Sequence, residues 1–315
     1  MGAIIGFAFV TVGIGALLSA WAHHADASRA LRVLLYIIFG GFSLLVILAG
    51  IGALVLSNEM PDAGLSRLGG LALLALGLGL GLPLVPFVRR VLARVMPFDP
   101  DSMADMVGLS VLLAITLAFP LLGAGVSDAG GTYGPVQRGE LVVQTAIFVL
   151  LAFLSVGTFI TRDLGAAARR LGLWMPPPRQ IGIALALVVV AFIIAGVAGA
   201  LTQVFQPGLE REIEDRMRSV TQEVTDVPGA ILLGLSAGIG EEILFRGAIQ
   251  PRYGIVFTSL VFTVIHVQYD ISLVLVGVFA LAIMLGLERK YMGTVAAIIT
   301  HAVYNTLTLL IQAAV

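Results

Sequence analysis

The chain contains no cysteine. That removes disulfides, thiolate metal ligands, a cysteine nucleophile and cysteine-linked lipid anchors, while leaving the compartment open. Charge is scarce: 12% of the 315 residues are charged and 59% are hydrophobic, whereas a soluble domain carries about 25% charged residues. With a mean hydropathy of +1.04, the chain cannot cover a water-facing surface and reads as a polytopic membrane protein. No basic tract is present, which excludes a nucleic-acid partner. The start, MGAIIGFAFV, lacks a basic leader and runs straight into apolar sequence, so it reads as a retained membrane helix. Gly6 departs from the myristoylation pattern.

Long apolar runs are what the chain has in quantity. They cover 3–22, 31–57, 69–88, 104–124, 141–160, 180–203, 228–249, 253–268, 271–287 and 291–313. A helix needs about 20 residues to cross the hydrocarbon. Backbone satisfaction in lipid admits only helices and closed barrels, and continuous apolar runs lack a barrel's alternation. The expected fold class is therefore all-α, a polytopic helix bundle of about ten transmembrane segments. The runs at 253–268 and 271–287 are short, so tilted, broken or re-entrant helices are expected there. Thirteen of the 18 basic residues, among them Arg89, Arg90, Arg169, Arg170 and Arg289, fall on one set of connections. The positive-inside rule then places both termini outside.

Three stretches punctuate these runs. RRLGLWMPPPRQ (169–180) reads as a stiff interfacial linker before a helix. LEREIEDRMRSVTQEV (209–224) reads as an exposed or interfacial helix, within a charged connection at 204–227. GLALLALGLGLGLPLVP carries Gly77, Gly79 and Gly81, which permit close helix packing; no phosphate loop is read there. Residues 1–203 supply membrane helices of unassigned role.

The chemistry sits elsewhere. GIGEEILFRG places Glu241, Glu242 and Arg246 inside a nearly apolar run. Ionisable groups at membrane depth are costly and face a bundle interior or a wet cavity. Consecutive glutamates point about 100° apart on a helix, so they serve different roles. Glu242 and Arg246, at i and i+4, can pair, which leaves Glu241 freer to face a cavity. His301 and Asn305 repeat that spacing in AAIITHAVYNTLTLL, and Phe262 and His266 repeat it in LVFTVIHVQ. His23 and His24, in a connection beside Trp21, read as interfacial. A buried carboxylate and an imidazole beside one water suit general-base hydrolysis, and His301 with Asn305 suits oxyanion stabilisation. Ser236 and Ser259 are in no nucleophile elbow. Three other readings stay open: a structural polar network, a proton relay in a transporter, and a His₂Glu zinc site from Glu241, His266 and His301, although no HExxH is present.

In this order, Glu241-Glu242-x-x-x-Arg246, Phe262-x-x-x-His266 and His301-x-x-x-Asn305 resemble the CPBP family of intramembrane proteases. That family includes CAAX prenyl endopeptidases and bacteriocin-processing or immunity-associated membrane proteins. The resemblance spans roughly Pro228 to Leu310, so 228–315 is expected to be a catalytic helix core. It implies that Glu241 activates the hydrolytic water with help from His266. It implies that Glu242 orients the site and contacts His301, and that Arg246 holds the carboxylates. His301 and Asn305 would bind the oxyanion, and Phe262 would pack. It implies a metal-free glutamate mechanism with no cofactor, although members are often described as metalloproteases. The implied partners are a membrane-associated peptide or protein substrate and membrane lipid. A single lysine with abundant Ala, Gly and Val resembles a GC-rich bacterial proteome. The expected location is a bacterial inner membrane, with the site near the cytoplasmic face. The same family resemblance also accommodates a non-catalytic scaffold or regulator.

Overall fold

A computed structural model describes residues 2–59, 66–128 and 134–314. Every regular element of the described residues is helical. In chain order they are α1 (Gly2–Ala27), α2 (Arg29–Glu59), α3 (Arg67–Gly81), α4 (Pro86–Leu92), α5 (Met103–Asp128), α6 (Arg138–Ser155) and α7 (Leu164–Arg170). They continue with α8 (Pro178–Phe205), α9 (Pro207–Thr221), α10 (Val227–Glu241), α11 (Gln250–Tyr253), α12 (Ile255–Val264), α13 (Leu273–Met292) and α14 (Thr294–Ala314). A π-helical segment, Glu242–Ile249, joins α10 to α11 without a break.

Among the described residues, eight helical stretches are long and apolar enough to cross a membrane; Val227–Tyr253, which contains the π segment, is one of them. The ten apolar runs of the sequence reduce to these eight for two reasons. α12 has 10 residues, about 15 Å of helix at 1.5 Å per residue, half of the hydrocarbon thickness. α13 has 20 residues but carries Glu288, Arg289 and Lys290 near its C-terminal end.

The helix ends follow local chemistry. Asp226 caps α10 by accepting from the Gly229 N–H at 3.1 Å, Ser272 caps α13 through the Leu275 N–H, and Asp163 caps α7 through the Ala166 N–H. Each supplies an oxygen to a first-turn amide that has no intrahelical partner. Gly254 (φ 84°) separates α11 from α12, and Gly293 (φ 94°) separates α13 from α14. Both turn the chain through the left-handed region, which disfavours residues with a Cβ. As the sequence pattern indicates, α9 is largely exposed, with an Arg218–Glu214 pair on its surface.

The chain divides into two compact units. One comprises 18–132 and 260–270, and the other comprises 1–17, 133–259 and 271–315. The first is built on α2, α3 and α5, with Leu35, Met103, Met106 and Ala114 at its core. The α3 glycines are points of close approach, as their clustering suggests. A Cβ on Gly79 would stand 2.5 Å from the Ala114 nitrogen. The second unit packs α10 between α6 and α14, with α8 against α13 and α14.

In that second unit Arg138 donates to the exposed Asp226 carboxylate at 2.5 Å. This bond holds the Asp226 carboxyl below its usual range. Because the folded value is lowered, the associated stabilisation is present above the unfolded value of about 4 and fades as pH falls through the folded one. Arg138→Ala is expected to return the Asp226 carboxyl toward its ordinary value, read from a carboxyl carbon NMR titration.

Candidate active site

The motif Glu241-Glu242-x-x-x-Arg246 straddles the change from α-helical to π-helical backbone. The Gln250 N–H closes the π segment on the Phe245 carbonyl, five residues back. Such widened turns recur at functional sites. Glu242 is 0% exposed and Arg246 1%, so both charges lie out of solvent. Arg246 Nε stands 3.2 Å from Glu242 Oε2. That oxygen accepts no well-aligned hydrogen bond, so the contact is a close ion pair in which distance counts more than direction.

The other Glu242 oxygen meets α14. His301 Nδ1 lies 2.8 Å from Glu242 Oε1. With its proton on Nδ1, His301 donates to the carboxylate and its Nε2 becomes the ring's second working atom. Glu242 thus holds a guanidinium on one oxygen and an imidazole on the other. Further backbone bonds support the cluster: Arg289 Nε donates to the Arg246 carbonyl at 2.9 Å, and Gln250 Nε2 donates to the Gly286 carbonyl at 2.8 Å.

Glu241 behaves differently from its neighbour. Its side chain is partly exposed, and Oε2 is buried with no hydrogen-bond partner among the described residues. The two neighbours thus differ in their surroundings: Glu242 is tied into an ion pair, and Glu241 Oε2 has no hydrogen-bond partner among the described residues. Asn305 lies one turn beyond His301 on α14 and is half-buried.

His301 can reach Glu242 because α10 and α14 pack closely through glycines. A Cβ on Gly238 would stand 2.8 Å from the Ala302 Cβ, and one on Gly234 would stand 2.5 Å from the Ala302 carbonyl oxygen. Even one methyl at Gly234 forces α14 away. We expect Gly234→Ala to destabilise the protein by about 1–3 kcal/mol, seen as a lower thermal midpoint in detergent. Ser236, a few residues along α10, bonds to Thr145 Oγ1 at 2.6 Å and to the Leu141 carbonyl. These bonds tie the Ser236 hydroxyl into the packing of α10 against α6.

His266 and Phe262 belong to the other compact unit. There the His266 Nδ1 bonds the Phe262 carbonyl at 2.6 Å, across one helical turn. The bond places the ring proton on Nδ1 and leaves Nε2 as the acceptor. Phe262 is buried, and its ring lies 4.6 Å from the His266 ring. The Phe262 carbonyl thus orients the His266 imidazole. Among the described residues, no group of three or more His, Asp or Glu side chains is placed to hold a metal ion.

Sequence reasoning missed Glu288. It is buried at 3% exposure, and Thr300, beside His301, bonds it. Its signal was faint: one acid next to Arg289 and Lys290, in a stretch that reads as a basic connection.

A helical membrane protein with a buried carboxylate and guanidinium on one helical segment, paired with an imidazole on another helix, is the class defined by this arrangement. Comparison with known proteins narrows the class. Residues 223–307, which include all three motifs, match the family described as type II CAAX prenyl endopeptidase Rce1-like. The likeness to CAAX-type intramembrane proteases is carried by this segment and holds at the level of that family. Over 155 residues the chain is 25% identical to the Uncharacterized protein YpbD of Bacillus subtilis (strain 168). That alignment covers 48% of this chain and 76% of YpbD. No solved structure matches.

Proposed function

We propose that this protein is an intramembrane endopeptidase that hydrolyses a peptide bond in a membrane-associated peptide or protein through glutamate-activated water. The observation that carries this reading is the contrast between the two glutamates. Glu242 is bound to Arg246 and His301, while the neighbouring Glu241 keeps a buried oxygen uncommitted. A carboxylate in that position can accept a proton from water. The water oxygen then attacks the peptide carbonyl carbon, and Glu241 returns the proton to the departing amine nitrogen. His301 and Asn305 donate to the oxygen that becomes negative. Glu242 and Arg246 hold His301 in place. The reading requires no metal ion. It sets the site near the cytoplasmic face of a cell membrane, the side to which the basic connections assign the end of the Glu241 helix.

The mutual pairing of Glu242, Arg246 and His301 also fits a second reading, a non-catalytic scaffold of the same family that uses the cluster for packing. One experiment separates the two. Purified protein in nanodiscs is incubated with a lipid-inserted peptide library, with and without a chelator, and products are read by mass spectrometry. Cleavage that depends on Glu241 and ignores the chelator supports the peptidase. Cleavage restored only by added zinc would overturn the metal-free mechanism. Retention of biological output by Glu241→Gln would favour the scaffold.

A further inference from the structure

One buried carboxylate has no part in the chemistry above. Glu288 lies near the C-terminal end of α13, and no cation pairs with it among the described residues. Its Oε2 is buried without a hydrogen-bond partner. Its Oε1 stands 2.7 Å from Thr300 Oγ1. The same Thr300 Oγ1 stands 2.9 Å from the Ala184 carbonyl oxygen on α8.

The hydrogen count decides what this arrangement requires. A threonine hydroxyl has one hydrogen and can donate it once. If Glu288 were ionised, one of the two contacts would bring two acceptors together with no proton between them. If Glu288 carries a proton, both contacts are satisfied. The carboxylic acid donates to Thr300 Oγ1, and the Thr300 hydroxyl donates to the Ala184 carbonyl. The surroundings agree. A buried carboxylate without a cation is disfavoured, and neutralisation is its usual relief. The charged groups nearby are already engaged: Glu242 with Arg246 and His301, and the Arg289 Nε with the Arg246 carbonyl. Glu242 opposes a second anion at Glu288, and His301 favours one.

We propose that Glu288 is a positioning residue for His301: a proton-bearing carboxylic acid that, through Thr300, fixes the adjoining turn of α14 against α8. Its role in positioning rests on the hydrolytic reading of His301, whereas its protonation does not. Glutamine at this place keeps a donor for Thr300 Oγ1; alanine does not.

The test uses the full chain in nanodiscs at neutral pH. Infrared difference spectra of wild type against Glu288→Gln are expected to show a protonated carboxyl band that shifts in deuterium oxide and is missing from the variant. Glu288→Gln is expected to keep the thermal midpoint and the pH profile of cleavage. Glu288→Ala is expected to lower kcat about tenfold or more at unchanged KM. Absence of the band from folded wild type, or a Glu288→Gln protein as impaired as Glu288→Ala, overturns the proposal. If no protein cleaves any peptide, the peptidase reading fails, while the infrared band and the midpoints still decide the state of Glu288.

Discussion

Glu241→Gln is expected to lower kcat/KM for peptide cleavage by about 10²–10⁴-fold, the usual worth of a positioned general base. Folded yield should stay close to wild type. The substitution is nearly isosteric and removes only the capacity to accept a proton. Its structural cost is small because Glu241 Oε2 accepts no hydrogen bond among the described residues. The neighbouring Glu242→Gln is a contrasting control. It deprives the buried Arg246 of its counter-charge, so it should lower stability as well as activity. The measurements are steady-state cleavage of a peptide identified from the library and the thermal midpoint of each protein. Equal activity of wild type and Glu241→Gln would remove Glu241 from the mechanism.

The second large effect concerns the buried ion pair. Arg246→Met should cost about 3–5 kcal/mol by leaving the Glu242 charge buried without its cation. Total stabilities are about 5–15 kcal/mol, so a sharp fall in monodisperse yield is expected. Combining it with Glu242→Gln neutralises both partners. The glutamine oxygen can still accept from His301 Nδ1, where Glu242 Oε1 now lies at 2.8 Å. The double variant should therefore recover most of the folded yield. Its cleavage should remain low, because the neutral amide no longer stabilises a charged imidazole. If the double variant is no more stable than Arg246→Met, uncompensated charge is not what destabilises the single variant.

Much of this was legible in the sequence, for identifiable reasons. Long apolar runs reveal membrane helices because hydrocarbon imposes length and composition together. The Glu242–Arg246 contact was legible because i,i+4 residues meet on helical backbone. Glycine clusters revealed close packing within α3, since a missing side chain is itself the signal. The π segment was not legible: hydrogen-bond spacing leaves no mark on composition, and EILFRGAI reads as an ordinary helix. Glu288 escaped because its partner, Thr300, is twelve residues away across the Gly293 turn. No local period connects them. The number of helices long enough to cross fell below the ten apolar runs because α12 ends after 10 residues, a limit that its uniformly apolar composition does not announce.

The π-helical segment makes the register of the last part of Val227–Tyr253 dependent on a single residue. With the same residues wound at ordinary α spacing, the Gln250 N–H would bond the Arg246 carbonyl, four residues back, instead of the Phe245 carbonyl. Everything beyond would then turn by about 100°, and Gln250 would swing away from the Gly286 carbonyl that it now holds. Glu241 and Glu242 would keep their places while the floor beneath them rotated. The widened turn thus acts as a phase shift, letting one continuous helix present its charged pair to one set of neighbours and its C-terminal end to another.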